Sequence, residues 1–232
     1  MKTQYFFLIL AALGTSACST LSPNSATMTK QSQSATTPAD ALQKLKDGNA
    51  RFVAGQSANY NYRQQVKQTA SGQYPYASVV SCLDSRTSTE LIFDQGIGDV
   101  FNARVAGNIA NPDIIGSLEF ASKVAGSKLI AVVGHTACGA VKGACDHVEL
   151  GNLTGLLNRI EPAVAATPST DGADRSSRNA AFVDKVAEQN VRRVMATIRK
   201  QSPILRQMEN AGQIKIAGAM HDIETGKVTF IN

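Results

Sequence analysis

An α/β domain, with a mostly parallel central β-sheet flanked by helices and a helical arm at its N-terminal side, is the fold the sequence predicts. Three observations predict it. Short runs rich in β-branched and small apolar residues, at 76–81, 100–105, 129–133 and 214–220, alternate with stretches of helical period. That order produces right-handed βαβ crossovers. Leu129-Ile130-Ala131-Val132-Val133 is apolar without alternation, as in a parallel strand covered on both faces. The chain has 232 residues, 43% of them hydrophobic, which suits one domain of ordinary size.

The order begins with targeting signals. Lys2 precedes an apolar stretch, Tyr5 to Leu13, that is too short to span a bilayer, and small residues lead to Cys18. Residues 1–17 are therefore expected to be a signal peptide. The small-residue run ending in Cys resembles a bacterial lipobox, with Thr15 where that pattern carries Leu. Cys18 is the expected lipidation site and the only membrane attachment; cleavage near Ala17 would instead release a soluble periplasmic protein. Residues 18–37, rich in Ser, Thr, Gln, Asn and Pro, read as a flexible tether, and 38–232 as the domain.

Thr37-Pro38-Ala39-Asp40 combines a cap, a Pro at the first helical position and an acidic capping-box residue. Leu42, Leu45, Phe52 and Val53 continue that helix to Gly55. A buried strand follows at 76–81, a short helix at 87–93, a strand at 100–105 and a helix opened by Pro112. After the 129–133 strand, helices are expected at 138–148 and 153–164. A polar loop covers 166–179, and a long helix runs over 180–200. A shorter helix starts at Pro203. Then come the strand at 214–220, a turn at 224–227 and a last strand at 228–231.

Two stretches carry chemistry, each at the C-terminal end of a predicted strand: Cys82-Leu83-Asp84-Ser85-Arg86 and His135-Thr136-Ala137-Cys138-Gly139. In open α/β sheets, sites form in the crevice beyond the carboxyl ends of the strands. Cys82, His135 and Cys138 could meet there. Two thiolates and an imidazole suit Zn²⁺, and three protein ligands leave the fourth tetrahedral position for water. Zinc so held lowers the pKa of its water toward about 7, supplying hydroxide at neutral pH. Arg86 can hold Asp84 in a bidentate pair, which keeps that carboxylate from closing the metal and leaves it to orient the water. Taken singly, each residue has an ordinary structural use. Three cysteines beyond Cys18 (Cys82, Cys138, Cys145) are an odd set for a disulfide framework, and metal ligation would protect two of them after export.

With both stretches placed, the chain resembles the β-class carbonic anhydrases from about Asp40 to the C-terminus. The stretches Leu45 to Phe52, Phe101 to Asn108, Gly134 to Gly139 and Gly218 to Val228 carry the likeness beyond the metal motifs. The resemblance implies zinc on Cys82, His135 and Cys138, an Asp84–Arg86 dyad, and reversible hydration of carbon dioxide to bicarbonate and a proton through zinc-bound hydroxide. It implies substrate contacts from Gln73, Phe101, Phe120 (where some members carry Tyr) and Gly139. It implies a homodimer or higher homo-oligomer, with the residue matching Gln73 reaching into the partner's pocket and the N-terminal helix as a swapping arm. A subgroup whose Asp binds the metal in a closed state uses a Trp three residues before the first ligand Cys. Val79 stands there and the chain has no Trp, so Asp84 is expected on Arg86 and not on zinc. His147 and His221 are expected at the surface or in structural roles.

Two other functions share the pattern: a zinc hydrolase of carbon disulfide or carbonyl sulfide, and an inactive zinc-binding interaction module of the envelope. Formal net charge is +5, without a dense basic block. Arg192, Arg193, Arg199 and Lys200 then read as the solvated face of a helix and not a nucleic-acid surface.

Overall fold

The computed structural model describes Met1 and residues 24–170 and 172–231; Cys18 and the apolar leader lie outside the described residues. One sheet organises the chain. Strands β1 (Ala77–Ser81), β2 (Val100–Arg104), β3 (Leu129–His135) and β4 (Lys215–His221) are parallel, and β5 (Val228–Ile231) is antiparallel to β4. The spatial order is β2-β1-β3-β4-β5, so β1 and β3 are neighbours inside the sheet and β2 is an edge.

In chain order the helices are α1 (Lys30–Ala35), α2 (Pro38–Val53), α3 (Tyr62–Thr69), α4 (Thr89–Ile92), α5 (Pro112–Glu119), α6 (Gly139–Cys145), α7 (Gly151–Leu157), α8 (Glu161–Ala166), α9 (Ala180–Gln201) and α10 (Pro203–Asn210). All residues of β1 and β3 are buried, and their period-two alternation feeds two layers. Ala77, Val79, Leu129, Ala131 and Val133 pack with Ala41 and Leu45 of α2 and with Phe93. Val80, Ile130 and Val132 pack with α5, α9 and α10 through Leu118, Val191, Ile198 and Leu205. Gly218 lets α9 come close: a Cβ there would meet Met195 Sδ at 2.7 Å and Val191 Cγ1 at 2.8 Å.

Helix α2 begins where the capping signals place it, with Thr37 and Asp40 forming the reciprocal box. It lies on its own sheet. Asn49 donates to the carbonyls of Ile92 (2.8 Å) and Gly226 (2.9 Å) and accepts from the Val228 amide (2.8 Å), tying the helix to β5.

The structure departs from the sequence reading in three places. The tether expected through residue 37 is packed from residue 24 onward. Its contacts are hydrogen bonds, which composition does not reveal: the buried Gln33 amide donates to Pro75 O (2.7 Å) and Ala125 O (2.8 Å), and Asn24 pairs with the backbone beside Tyr60. Helix α3 was not expected, because its sequence is almost wholly polar and only Gln65 is buried. The single helix expected over 153–164 is two, α7 and α8. Pro162 stands in the first turn of α8, where its missing N–H costs nothing and a continuous helix would be broken.

Candidate metal centre

Parallel strands place their carboxyl ends together, and the two chemical stretches meet there. Cys82 directly follows β1, His135 is the last residue of β3, and Cys138 caps α6. Ala137, between the last two, has φ of 53°, a left-handed turn that folds Cys138 back toward His135. Its amide donates to Asp184 of α9 (2.9 Å), and Thr136 donates to His221 O at the end of β4 (3.0 Å) and accepts from the Ile223 amide just beyond it (3.1 Å). The Cys82 and Cys138 sulfurs and a His135 ring nitrogen lie within 4.8 Å of one another, and all three residues are buried.

The imidazole is oriented before any metal arrives. His135 Nδ1 lies 2.9 Å from Thr136 O; a carbonyl only accepts, so Nδ1 carries the hydrogen and the Nε2 lone pair is free. That Nε2 is buried with no hydrogen-bond partner among the described residues, an arrangement that is costly unless something binds it. The two thiols are as telling. A hydrogen bond with Cys138 pulls the Cys82 thiol well below its ordinary value against the effect of burial, with help from the Asp84 and Gly107 amides. Sharing with Cys82, together with burial, pushes Cys138 far up. Without a cation the pair keeps one proton; a dication removes the need for it. Tetrahedral zinc with the usual bond lengths needs ligand atoms only about 3.5–3.8 Å apart. The donor set and its spacing therefore fit zinc.

Asp84 faces this cluster but is claimed by Arg86. Arg86 Nε and Nη2 donate to its two oxygens at 2.9 and 2.7 Å, and the Arg86 amide adds a bond of 2.9 Å. This grip holds the Asp84 carboxyl well below the usual range. Its Oδ2 stands 4.0 Å from His135 Nε2, near enough to address a small molecule at the metal position.

Several residues that build the site carried no assigned role in the sequence reading. Arg104 donates to the carbonyls of Cys82 (3.0 Å) and Asp84 (2.5 Å), and Thr87 Oγ1 to Asp84 O (2.9 Å), which fixes the loop. Gly107 adopts φ of 67° and points its amide at Cys82 Sγ (3.4 Å), while Asn190 of α9 donates to its carbonyl (2.8 Å). A side chain at Gly107 would also run into Ile160. Gly107 was visible as part of a stretch shared with the family; Asn190, 83 residues away, gave no local signal.

Gln73 and Phe101 stand toward the opposite end of their strands from the Cys82–His135–Cys138 cluster. Gln73 precedes β1, whose five residues alone span about 16 Å before Cys82 is reached. Phe101 is opposite Ser78 in the register, about 13 Å along the strand from Cys82. It packs edge-on against Phe120 with ring centroids 6.5 Å apart. Gly139 does adjoin Cys138, but no close approach explains it: a Cβ there would meet nothing within 4 Å. His147 is exposed and 3.5 Å from Glu161. His221 is buried, opposite His135 in the β3–β4 register, with its pKa lowered by burial and by His135.

Comparison with known proteins agrees with this geometry. The family model described as carbonic anhydrase matches residues 77–228. Carbonic anhydrase 2 of Mycobacterium tuberculosis is 34% identical over 204 residues, covering 84% of this chain and 93% of the relative. The carbonic anhydrase of Mycolicibacterium smegmatis is 36% identical over 199 residues, with 82% and 92% covered. Among solved structures, the β-carbonic anhydrase CafA of Aspergillus fumigatus superposes with a TM-score of 0.63 at 25% identity, covering 84% of this chain and 90% of that one. A tetrameric β-carbonic anhydrase of Sordaria macrospora gives a TM-score of 0.61 at 25% identity, with 72% and 89% covered. The fold, the two chemical stretches and these relatives place the chain in the β-class carbonic anhydrase family.

Proposed function

We propose that the protein holds one zinc ion on Cys82, His135 and Cys138 and catalyses the reversible hydration of carbon dioxide to bicarbonate and a proton. One observation carries this reading: an unpartnered, pre-oriented His135 Nε2 and two sulfurs, all within 4.8 Å, beside a carboxylate already tied to arginine. Zinc, when bound, is a Lewis acid that makes water nucleophilic near neutral pH. The chain's own groups do the rest. Thr136 O keeps the imidazole in its ligating tautomer. Gly107 N–H stabilises charge on the Cys82 sulfur. Asp84 would accept a hydrogen bond from water held at that metal and so orient it, and Arg86 keeps Asp84 available for that role.

Substrate contacts from Gln73, Phe101 and Phe120 belong, in this reading, to a homo-oligomer. Leu83, Leu91, Phe120 and Val124 are 53–72% exposed, large apolar side chains of the kind subunits bury. We also propose export to the bacterial envelope, with Cys18 lipidated and the periplasm or outer membrane as its place. Mass spectrometry of membrane-fraction protein should show a diacylglyceryl adduct on Cys18. A soluble product cut near Ala17 would count against it.

Hydration of CO2 by the zinc-loaded protein tests the main reading, with Cys82→Ser as control and metal measured on both. Turnover lost together with zinc is the expected result. Stoichiometric zinc without CO2 turnover would overturn it, as would turnover of carbonyl sulfide or carbon disulfide alone.

A further inference from the structure

Behind the turn that serves Cys82 lies a small cleft of about 190 Å³, whose lining includes Ile109, Arg159, Asn190, Arg193, Thr197 and Gln201. No carboxylate lines it. Elsewhere Arg51, Arg86, Arg178, Arg192 and Arg199 each pair with an acid. Arg159 and Arg193 have no ion pair or side-chain hydrogen bond among the described residues. Two arginines line one small cleft without a carboxylate to offset them, and the planar donor fork of a guanidinium matches the oxygens of an oxoanion. The space equals about six waters of liquid, enough for phosphate, sulfate or bicarbonate and too little for a nucleotide.

The floor of the cleft connects to the metal. Asn190 is 1% exposed and donates through Nδ2 to Gly107 O at 2.8 Å, and the Gly107 amide donates to Cys82 Sγ at 3.4 Å. A ligand in the cleft is therefore two hydrogen bonds from a metal-binding sulfur, on residues outside the family's closed-state position at Val79.

We propose that the cleft binds a small oxoanion between Arg159 and Arg193, and that Asn190 passes its occupancy to the Gly107 amide. The test is titration of the full zinc-loaded chain with inorganic phosphate, sulfate and bicarbonate in turn, by calorimetry and by the amide resonance of Gly107. The wild type should bind one anion per chain that the double variant Arg159→Ala/Arg193→Ala binds at least tenfold more weakly, with the Gly107 shift lost in the variant. Both arginines are exposed; if the double variant fails to fold, Arg193→Ala alone should weaken binding several-fold. Binding of all three anions identifies a general oxoanion site, and binding of bicarbonate alone identifies the reaction product as its ligand. Equal affinity in wild type and variant would mean anion binding at the metal only, and would overturn the proposal. So would absence of binding together with a changed sedimentation coefficient in the variant, since the arginines would then serve a subunit contact.

Discussion

The carboxyl end of the sheet and its β2 edge differ in how much of their task one chain completes. At the carboxyl end, strand direction, a left-handed Ala137 and the Thr136 carbonyl bring three ligands and an oriented dyad together inside a single chain. At the β2 edge, Phe101 and Phe120 form an apolar pair with one ring 53% exposed, more than a strand's half-length from the metal. Gln73 lies beyond the other end of β1. The cluster that could hold a metal is complete within one chain, whereas the proposed substrate pocket would need an assembly to complete it.

Removing a ligand should have the largest effect. Cys82→Ser or His135→Ala is expected to lose stoichiometric zinc and bring CO2 hydration to the uncatalysed rate, measured by stopped flow alongside metal analysis. Next comes the dyad: Asp84→Asn should keep zinc while kcat/KM falls about 100-fold. Arg86→Ala should cost about as much by freeing Asp84 to bind the metal, visible as a changed spectrum after cobalt substitution. Unchanged activity in either variant would remove the dyad from the mechanism.

The edge is tested by complementation. Gln73→Ala and Cys82→Ser should each be nearly inactive, yet refolding them together should restore about a quarter of the sites, because half of randomly formed dimers are mixed and each holds one intact site. Failure to complement would return Gln73 to an ordinary loop role.

The same contrast explains what the sequence disclosed. Contiguous signals read well: the apolar run of β3, the Thr37–Asp40 box that starts α2, and two ligand stretches whose places at strand ends follow from topology alone. Signals spread across the chain did not. Asn190 acts on Gly107 from 83 residues away, Gln33 is buried by hydrogen bonds inside a polar segment, and α3 buries one glutamine. Each depends on tertiary contacts that neither periodicity nor composition encodes. The substrate residues were named through resemblance, and their separation from the metal became visible only in three dimensions.

Smaller effects lie away from both regions. Gln33→Ala should lower stability by about 1–3 kcal/mol, since two carbonyls lose their buried donor, with kcat unchanged; a drop in Tm without loss of zinc is the readout. Burial opposes ionisation of Glu209, but Arg199, donating at 2.7 and 2.8 Å, holds its pKa below the ordinary value. That contribution is present above the unfolded glutamate's pKa of 4.5 and is lost as pH falls through the lower folded value. Melting curves of wild type and Glu209→Gln should differ at neutral pH and converge in acid.

The central claim is that this chain alone supplies two sulfurs and one nitrogen to a zinc ion that Asp84 leaves open. X-ray absorption at the zinc edge of the purified protein near pH 7.5 measures it directly. The account predicts two sulfur scatterers at about 2.3 Å with nitrogen or oxygen at about 2.0 Å completing four-fold coordination, and one sulfur fewer in any residual zinc of Cys82→Ser. A wild-type site with fewer than two sulfurs would contradict it.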